Sequence, residues 1–353
     1  MSLQVAGASP VAIQSTAEDS NCLTHIATPW NCEGDTINKI AAWAGFFFVG
    51  WIYHPICAIS HCYTQICEWA FDVLKINRVA EEIFYSDPIS QTLSSFNNAR
   101  VGGQVNGIYV TTNESRLEAS RQLYADHPRV DGDLQTIHIG CATWHNLDII
   151  CARRSTYGLI VDFNPKNAEF MRKTVEMVNA CESRERFIRS MVDYLNSLSG
   201  RERDLFFHSD QRGLPTERIE RELEREGSWL QTEENYLYIK QQLAARDRLV
   251  AITEDMTHDE VFANIRRFLN NSHIAIDTLY VSNICNFMNT PGDRGAFARS
   301  VSHLLNNDTL FINCPRQIER NSSNETLLVQ RVFPGREILA RAFDFNQLFE
   351  VRA

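Results

Sequence analysis

Short apolar segments alternate with longer amphipathic stretches through residues 136–313, and this alternation constrains the fold more than any other feature. An apolar run of about four to eight residues is typical of a strand that is buried on both faces. Strands that alternate with helices predict an α/β fold with a mostly parallel sheet wrapped by helices. The predicted strands are residues 136–140, 158–162, 248–253, 277–282 and 308–313, with a late strand at 326–332 on the sheet edge.

Three regions are predicted along the chain. Residues 1–38 read as a flexible tail, residues 39–130 as an apolar and largely helical region, and residues 131–353 as the α/β domain. Helical composition dominates an insertion at about 166–247, between the second and third strands. The insertion contains a run of alternating acids and bases at 217–226, which we interpret as a solvated helix.

Polar residues follow several of the predicted strands. Asp162 follows Gly140 at close to the spacing of about 20 residues that separates the glycine turn from the ribose-binding carboxylate of nucleotide-binding folds. Ligands of open α/β sheets bind outside the carboxyl ends of the strands, where the strand order reverses. We therefore expect Gly140, Asp162, Asp255 and Asn283 to lie close together.

Two segments carry a resemblance to a known superfamily. IHIGCATWHNLDIICARR stands where class I S-adenosylmethionine methyltransferases have their glycine-rich motif, and LIVDFNPKNAEFM resembles their acidic second strand. GSWLQTEENYLYIKQQLAARDRLVAITEDM and IDTLYVSNICNFM are similar to a bacterial family of uncharacterised methyltransferase-like proteins. The resemblance implies a doubly wound, Rossmann-like sheet, S-adenosylmethionine as cofactor, and a methyl acceptor that the sequence does not identify.

The resemblance also implies roles for individual residues. The loop after the first strand approaches the amino-acid part of the cofactor, Asp162 accepts both ribose hydroxyls, and the residues after the third strand meet the adenine. The implied cofactor-binding residues are Gly140, Cys141, Ala142, Asp162, Phe163, Glu254, Asp255, Met256 and Ser282.

The methyl acceptor has fewer candidate partners. Asn283 ends the fourth strand, where these enzymes orient the acceptor, and is the candidate catalytic residue. The alternative for Asn283 is a cap on the following segment. Tyr236 is the candidate substrate-binding residue, and its alternative role is that of a core aromatic. Methyl transfer depends chiefly on near-attack positioning, and a general base is required only if the acceptor loses a proton.

The sequence departs from the superfamily pattern at two places. Ala142 and Trp144 stand where its loop has glycines, and residues 284–286, Ile-Cys-Asn, replace the acidic residue that follows Ser-Asn in the bacterial family. An inactive interaction module is therefore the alternative function, with Trp144 filling the cofactor cleft. A nicotinamide-dependent oxidoreductase is the nearest alternative enzyme.

Residues 40–67 contain no charged side chain. One interpretation is a helix or helical hairpin buried against the α/β domain, because a buried helix is apolar all round. A second is membrane attachment, although His54 and Pro55 interrupt the apolar run. A third is a metal site at His54, Cys57 and His61, which share a helical face. We favour the buried helix, and we predict no metal ligand because the sequence shows no fourth one.

Charge and cysteine usage exclude other classes. A formal charge of −10 argues against general affinity for a nucleic-acid backbone, which depends on clustered Lys and Arg. The ten cysteines form no CxxC pair, and the first twenty residues do not have the regions of a signal peptide. These features predict a cytoplasmic protein, with membrane association through residues 40–67 as the alternative.

Overall fold

A computed structural model describes residues 85–98, 100–101, 107–114, 117–129, 134–208, 211–212, 216–314, 316–317 and 327–340. All of these residues belong to one compact unit, Ile83–Ala353. The predicted tail 1–38, the uncharged segment 40–67 and the candidate metal ligands His54, Cys57 and His61 lie outside the described residues. Within the described part of the chain, no helix is long and apolar enough to cross a membrane.

The described residues form three sheets and a set of helices. The strands are β1 Ile108–Tyr109, β2 Gln135–Gly140, β3 Tyr157–Asp162, β4 Phe206–His208, β5 Gln211–Arg212, β6 Leu249–Thr253, β7 Ile274–Ser282, β8 Leu310–Asn313, β9 Arg316–Gln317, β10 Leu327–Leu328 and β11 Arg331–Pro334. The α-helices are α1 Pro88–Ser94, α2 Leu117–Asp126, α3 His145–Arg153, α4 Pro165–Ala180, α5 Arg184–Ser197, α6 Gly200–Arg203, α7 Thr216–Glu220, α8 Glu233–Tyr238, α9 Asp259–Asn271, α10 Pro291–Leu304 and α11 Gly335–Leu339.

The main sheet has six strands in the order β11-β8-β7-β2-β3-β6. Five strands run parallel, and β11 pairs antiparallel with β8 at one edge. The predicted α/β fold with a mostly parallel sheet is therefore confirmed. From β2 the chain moves outward through β3 to β6, then returns to β7 on the other side of β2 and moves outward again.

Helices cover both faces of the main sheet because the strands present apolar residues to both sides. In β3, Leu159 and Val161 pack in the same cluster as α9 and α10, while Ile160 joins the cluster of α3, α4 and α5. Each large apolar side chain that is buried in this way stabilises the fold by about 1.5–3 kcal/mol. This double burial explains why the strands read as continuous apolar runs rather than as alternating ones.

Local signals start several helices. Asp87, Asn164 and Thr290 cap the N-termini of α1, α4 and α10 with their side-chain oxygens, and each is followed by a proline at the first helical position. A capping oxygen satisfies a backbone N–H that has no partner within the helix, and proline lacks that N–H altogether. These helices therefore begin where the sequence places an Asp, Asn or Thr before a Pro.

The described residues between β3 and β6 form five α-helices and two short strands. β4 pairs with β5 and also, in parallel, with β1 from the region before the main sheet. The charged run is divided between α7 and a 3₁₀ turn at Arg221–Leu223, and Glu222 is only 1% exposed. The interpretation of this run as one solvated helix is therefore wrong, because Glu222 is buried against Arg225 and Ser228.

Candidate functional site

The carboxyl ends of β6, β3, β2 and β7 lie side by side at one edge of the main sheet. The amide of Ala142, after β2, donates to Asp162 Oδ2 at 2.9 Å, and the amide of Glu254 donates to the Asp162 carbonyl at 3.0 Å. On the other side, the amide of Cys141 donates to the Tyr280 carbonyl at 3.1 Å. The structure therefore brings the residues that follow these four strands to one edge.

The loop after β2 is built around the side chain of Asn146. Asn146 Nδ2 donates to the carbonyls of Cys141 and Thr143, each at 2.8 Å, and its Oδ1 lies 2.9 Å from His138 Nε2. A Cβ at Gly140 would collide with Asn146 Oδ1 and lie 2.7 Å from His138 Nε2. Gly140 is therefore required by the packing of the loop on its own helix.

Asp162 is partly buried at the end of β3. Its Oδ1 accepts from the amide of Asn164 at 2.8 Å, while its Oδ2 accepts from Ala142. Burial raises the pKa of the Asp162 carboxyl, and these amide donors oppose the rise. The Asn167 side chain also donates to this carboxylate, so three of its roughly four acceptor positions are occupied. The next residue, Phe163, exposes 47% of its surface beside this carboxylate.

The residues after β6 contribute less to the exposed edge. Glu254 is buried, and its Oε1 accepts from the amide of Asp255 at 2.8 Å and faces His258 Nδ1 at 2.7 Å. Met256 is buried in the apolar cluster of α9 and α10. Asp255 is partly exposed, and its Oδ1 accepts from the amide of Thr257 at 2.8 Å. Of the three predicted adenine contacts, the structure leaves Asp255 the most accessible.

The carboxylate at the end of β7 comes from Glu114, which lies outside that strand. Ser282 Oγ donates to Glu114 Oε1 at 2.7 Å, and the Tyr280 hydroxyl donates to the same oxygen at 2.8 Å. Gln330 Nε2 donates to Glu114 Oε2 at 2.6 Å. Glu114 is 7% exposed, while the adjacent Asn283 is partly exposed. Burial raises the pKa of the Tyr280 hydroxyl well above its usual range, and the Glu114 carboxylate raises it further.

Sequence reasoning missed Glu114, and no local signal identifies it. Glu114 belongs to residues 107–114, which we call the covering segment. This segment runs along the carboxyl edge of the sheet. Asn164 Nδ2, after β3, donates to the Gly107 carbonyl at 2.8 Å, and the Trp144 amide donates to the Val110 carbonyl at 3.1 Å. With Glu114 at Ser282, the segment passes the ends of β3, β2 and β7 in turn.

A buried chain of polar side chains extends from Glu114. Gln330 Nε2 lies 2.9 Å from His145 Nε2, and His145 Nδ1 lies 3.0 Å from Asp148 Oδ2. Arg225 then contacts both Asp148 and Glu222 at 2.7 Å. Burial alone would raise the pKa of the Asp148 carboxyl, but the charge of Arg225 and the hydrogen bond from His145 lower it. Asp148 is therefore ionised, and it holds the first turn of α3 against the insertion.

The side chains of Tyr236 and Trp144 lie away from this edge, in the helical layer. The ring of Tyr236 stacks on Trp229, and its hydroxyl donates to the Cys181 carbonyl at 2.9 Å. Trp144 packs between Phe170, Phe187 and Trp229, and its Nε1 donates to Thr174 Oγ1 at 3.0 Å. The structure does not bring the predicted substrate-binding Tyr236 to the strand ends, and both side chains are fully buried.

Among the described residues, no group of three or more His, Cys, Asp or Glu side chains is arranged to hold a metal ion.

Comparison with curated proteins finds no match to this chain. A protein family described as a domain of unknown function, DUF7790, matches residues 109–317, which extend from β1 through β9. Because this match covers more than half of the chain, the protein belongs to the DUF7790 family.

Proposed function

We propose that this protein binds S-adenosylmethionine at the carboxyl edge of its main sheet and transfers the methyl group to an acceptor that is not yet identified. The strand order supports the proposal. Counted along the chain from β2, the parallel strands are arranged 3-2-1-4-5, which is the order of doubly wound, Rossmann-like nucleotide-binding sheets. Such sheets bind their ligands where the order reverses, which here is between β2 and β7.

The observation that carries the proposal is the position of the Asp162 carboxylate. Asp162 ends β3, the strand that pairs with β2, is held by the Ala142 amide, and keeps an acceptor position for a ribose hydroxyl. Phe163 beside it offers an exposed aromatic face for the adenine. These two residues fit the nucleoside part of the cofactor.

Backbone strain at the same edge also supports a binding site. Ala142 has φ 68° and Ser282 has φ 47°, and both are non-glycine residues in the left-handed region. Such conformations are costly and concentrate at ligand sites and active sites. In this proposal, Ala142 faces the amino-acid part of the cofactor, and Ser282 leads into Asn283.

The end of β7 is the proposed position of the methyl acceptor. Methyl transfer is an in-line displacement, so the protein acts chiefly by orienting donor and acceptor. We assign this role to Asn283, with Glu114 as a positioning residue that holds Ser282. In this proposal, Glu114 from the covering segment takes the place of the carboxylate that the bacterial family has after Ser-Asn, because it contacts Ser282.

The alternative of an inactive interaction module loses its main premise. It required Trp144 to fill the cofactor cleft, whereas the Trp144 indole packs among the aromatic residues of the helical layer. The buried Trp144 instead anchors the insertion to the first turn of α3. We therefore favour the ligand-binding function.

Isothermal titration calorimetry with S-adenosylmethionine and with its demethylated product tests the cofactor. We expect Asp162→Asn to weaken binding by at least about tenfold, or about 1.4 kcal/mol, because the ribose hydroxyls lose a charged acceptor. Asp193→Asn, on the exposed face of α5, is the matched control and should bind as the wild type does. An absence of binding at millimolar ligand contradicts the proposal and favours the interaction module.

Transfer itself needs a second measurement. We expect a pool of small-molecule acceptors to stimulate conversion of S-adenosylmethionine to its demethylated product, and Asn283→Ala to abolish that stimulation while cofactor affinity is kept. If the cofactor binds but no acceptor of the pool stimulates its conversion, the protein binds the cofactor without transferring the methyl group to any acceptor of that pool. Equal conversion by Asn283→Ala and wild type would remove Asn283 from the catalytic role.

A further inference from the structure

A cleft of about 330 Å³ opens between the covering segment and the charged part of the insertion. Thr111 and Thr112 line one side, and Arg218, Arg221 and Arg225 line the other. Its volume is at the lower end of the range for small-molecule sites, about 300–1,000 Å³. The size indicates a small ligand or a single group of a larger ligand.

The three arginines of the cleft have different partners. Arg225 is committed to Asp148 and Glu222, each at 2.7 Å. Arg218 and Arg221 make no ion pair or side-chain hydrogen bond within the part of the chain that the structure describes. Each guanidinium has five N–H donors in a planar fork, which matches a carboxylate or a phosphate. Among the described residues, Arg218 and Arg221 are therefore the two arginines of the cleft that no carboxylate holds.

The acidic residues of the lining do not cancel these two charges. Glu222 is buried and already accepts from Arg225 and from Ser228 Oγ. Glu224 is exposed and is the other acid of the lining. In the lining of the cleft, three guanidinium groups thus stand against two carboxylates. The balance favours an anionic ligand over a neutral or cationic one.

The cleft is joined to the proposed methyl-transfer site through the covering segment. Thr112 Oγ1 accepts from the amide of Glu114 at 3.1 Å, and Glu114 in turn holds Ser282 at the end of β7. On its other side, Arg225 contacts Asp148 in the first turn of α3, which follows the loop after β2. A ligand in the cleft therefore lies against the elements that frame the strand ends.

We propose that this cleft binds the carboxylate or phosphate group of a small methyl acceptor, through Arg218 and Arg221. The assignment to the acceptor rests on the proposed function, whereas anion binding by the cleft does not. A bound anion forms bidentate, charge-assisted hydrogen bonds with the two guanidinium groups, and these hold the acceptor beside the covering segment. The ligand class is thus a small molecule with at least one anionic group.

Calorimetric titration of the whole chain with inorganic phosphate and, separately, with citrate tests this site and distinguishes the two anion chemistries. We expect at least one probe to bind, and the double variant Arg218→Gln/Arg221→Gln to weaken it by at least about tenfold. The control Arg186→Gln/Arg189→Gln removes the same charge from the exposed face of α5 and should change the affinity by less than about twofold. Melting curves of each variant check that it is folded.

Titration of the same variants with S-adenosylmethionine separates this proposal from the proposed function. If the cofactor binds but neither anion does, or if both double variants weaken the anion equally, the cleft proposal is overturned and cofactor binding stands. If an anion binds but the cofactor does not, the methyltransferase function is overturned, together with the assignment of the anion to an acceptor. We expect Arg218→Gln/Arg221→Gln to lose anion binding but to bind the cofactor as tightly as the wild type does.

Discussion

The carboxylate of Glu114 accepts a hydrogen bond from Ser282 Oγ at 2.7 Å, and this contact joins the covering segment to the end of β7. The same carboxylate accepts from Tyr280 and Gln330, so three neutral donors surround one buried acid. Each donor directs a hydrogen at a carboxylate oxygen, so both oxygens of Glu114 are hydrogen-bonded. Glu114 is thereby held as an acceptor at the proposed site.

Glu114→Gln should therefore destabilise the fold. The amide NH₂ of the glutamine faces donors where the carboxylate accepted, and hydrogen bonds to a charged group are worth about 1.5–3 kcal/mol. We expect the free energy of unfolding in urea to fall by about 2 kcal/mol. Glu118→Gln, on the exposed first turn of α2, should change it by less than about 0.5 kcal/mol. Equal stability of the two variants would show that the contacts of Glu114 are energetically unimportant.

A buried ion pair connects α3 to β7. Arg153 Nε and Nη2 donate to the two carboxylate oxygens of Asp277 at 2.9 and 2.6 Å, and the side chains are 1% and 3% exposed. Asp277→Asn leaves the guanidinium buried without its counter-charge, which costs about 3–5 kcal/mol. Urea denaturation should show this loss. Glu176→Gln, which breaks the exposed pair with Lys173, should cost less than about 1 kcal/mol.

Gly140→Ala should destabilise the loop after β2 by about 1–3 kcal/mol, because its Cβ collides with Asn146 and approaches His138. Asn146→Ala removes the obstacle but also removes the hydrogen bonds that shape the loop. The steric clash exists only when the new Cβ and the Asn146 side chain are both present. The double variant should therefore lose less stability than the sum of the single variants. Strict additivity in a double-mutant cycle would contradict the steric explanation.

His138 makes the stability depend on pH. Burial lowers the pKa of the His138 imidazole to about 4, although the hydrogen bond that its Nε2 donates to Asn146 Oδ1 opposes the shift. An unfolded imidazole has a pKa of about 6.5, so the unfolded chain binds a proton first as the pH falls. The contribution of neutral His138 to the free energy of unfolding is therefore complete above about pH 6.5. It falls by about 3 kcal/mol as the pH decreases to about 4.

Urea denaturation at several pH values between 7 and 4 measures this dependence. His138→Gln keeps a polar side chain but does not titrate, so its free energy of unfolding should fall less steeply with acid than that of the wild type. The explanation fails if His138→Gln and the wild type lose stability in parallel.

The positions of the parallel strands, and of the polar residues at their carboxyl ends, were predictable from the sequence. The five parallel strands carry continuous apolar runs because helices cover both faces, and Asp162, Asp255 and Asn283 follow such runs directly. The antiparallel edge strand is Arg331–Pro334 rather than 326–332, a small shift that no periodic pattern in this short segment indicates. The prediction of a shared edge for the strand ends follows from the parallel direction alone.

Other features could not be predicted, because their partners are far apart in the chain. Ser282 and Glu114 are separated by 168 positions, and nothing near Glu114 marks it as a residue of the strand edge. Glu222 lies in a run whose local pattern is typical of a solvated helix, yet Arg225 and Ser228 bury it. Trp144 follows the loop directly but enters the helical layer, where Phe170, Phe187 and Trp229 surround it.

The amino-acid sequence by itself determined the α/β class, the parallel strands and the residues that end them, because burial and chain direction act locally on each segment. Only the tertiary structure decided which polar groups meet, that Glu114 supplies the carboxylate at β7, and that Arg218 and Arg221 face a cleft. The physical reason is that a buried or clustered charge depends on partners from distant segments, and folding alone brings those partners within hydrogen-bonding distance.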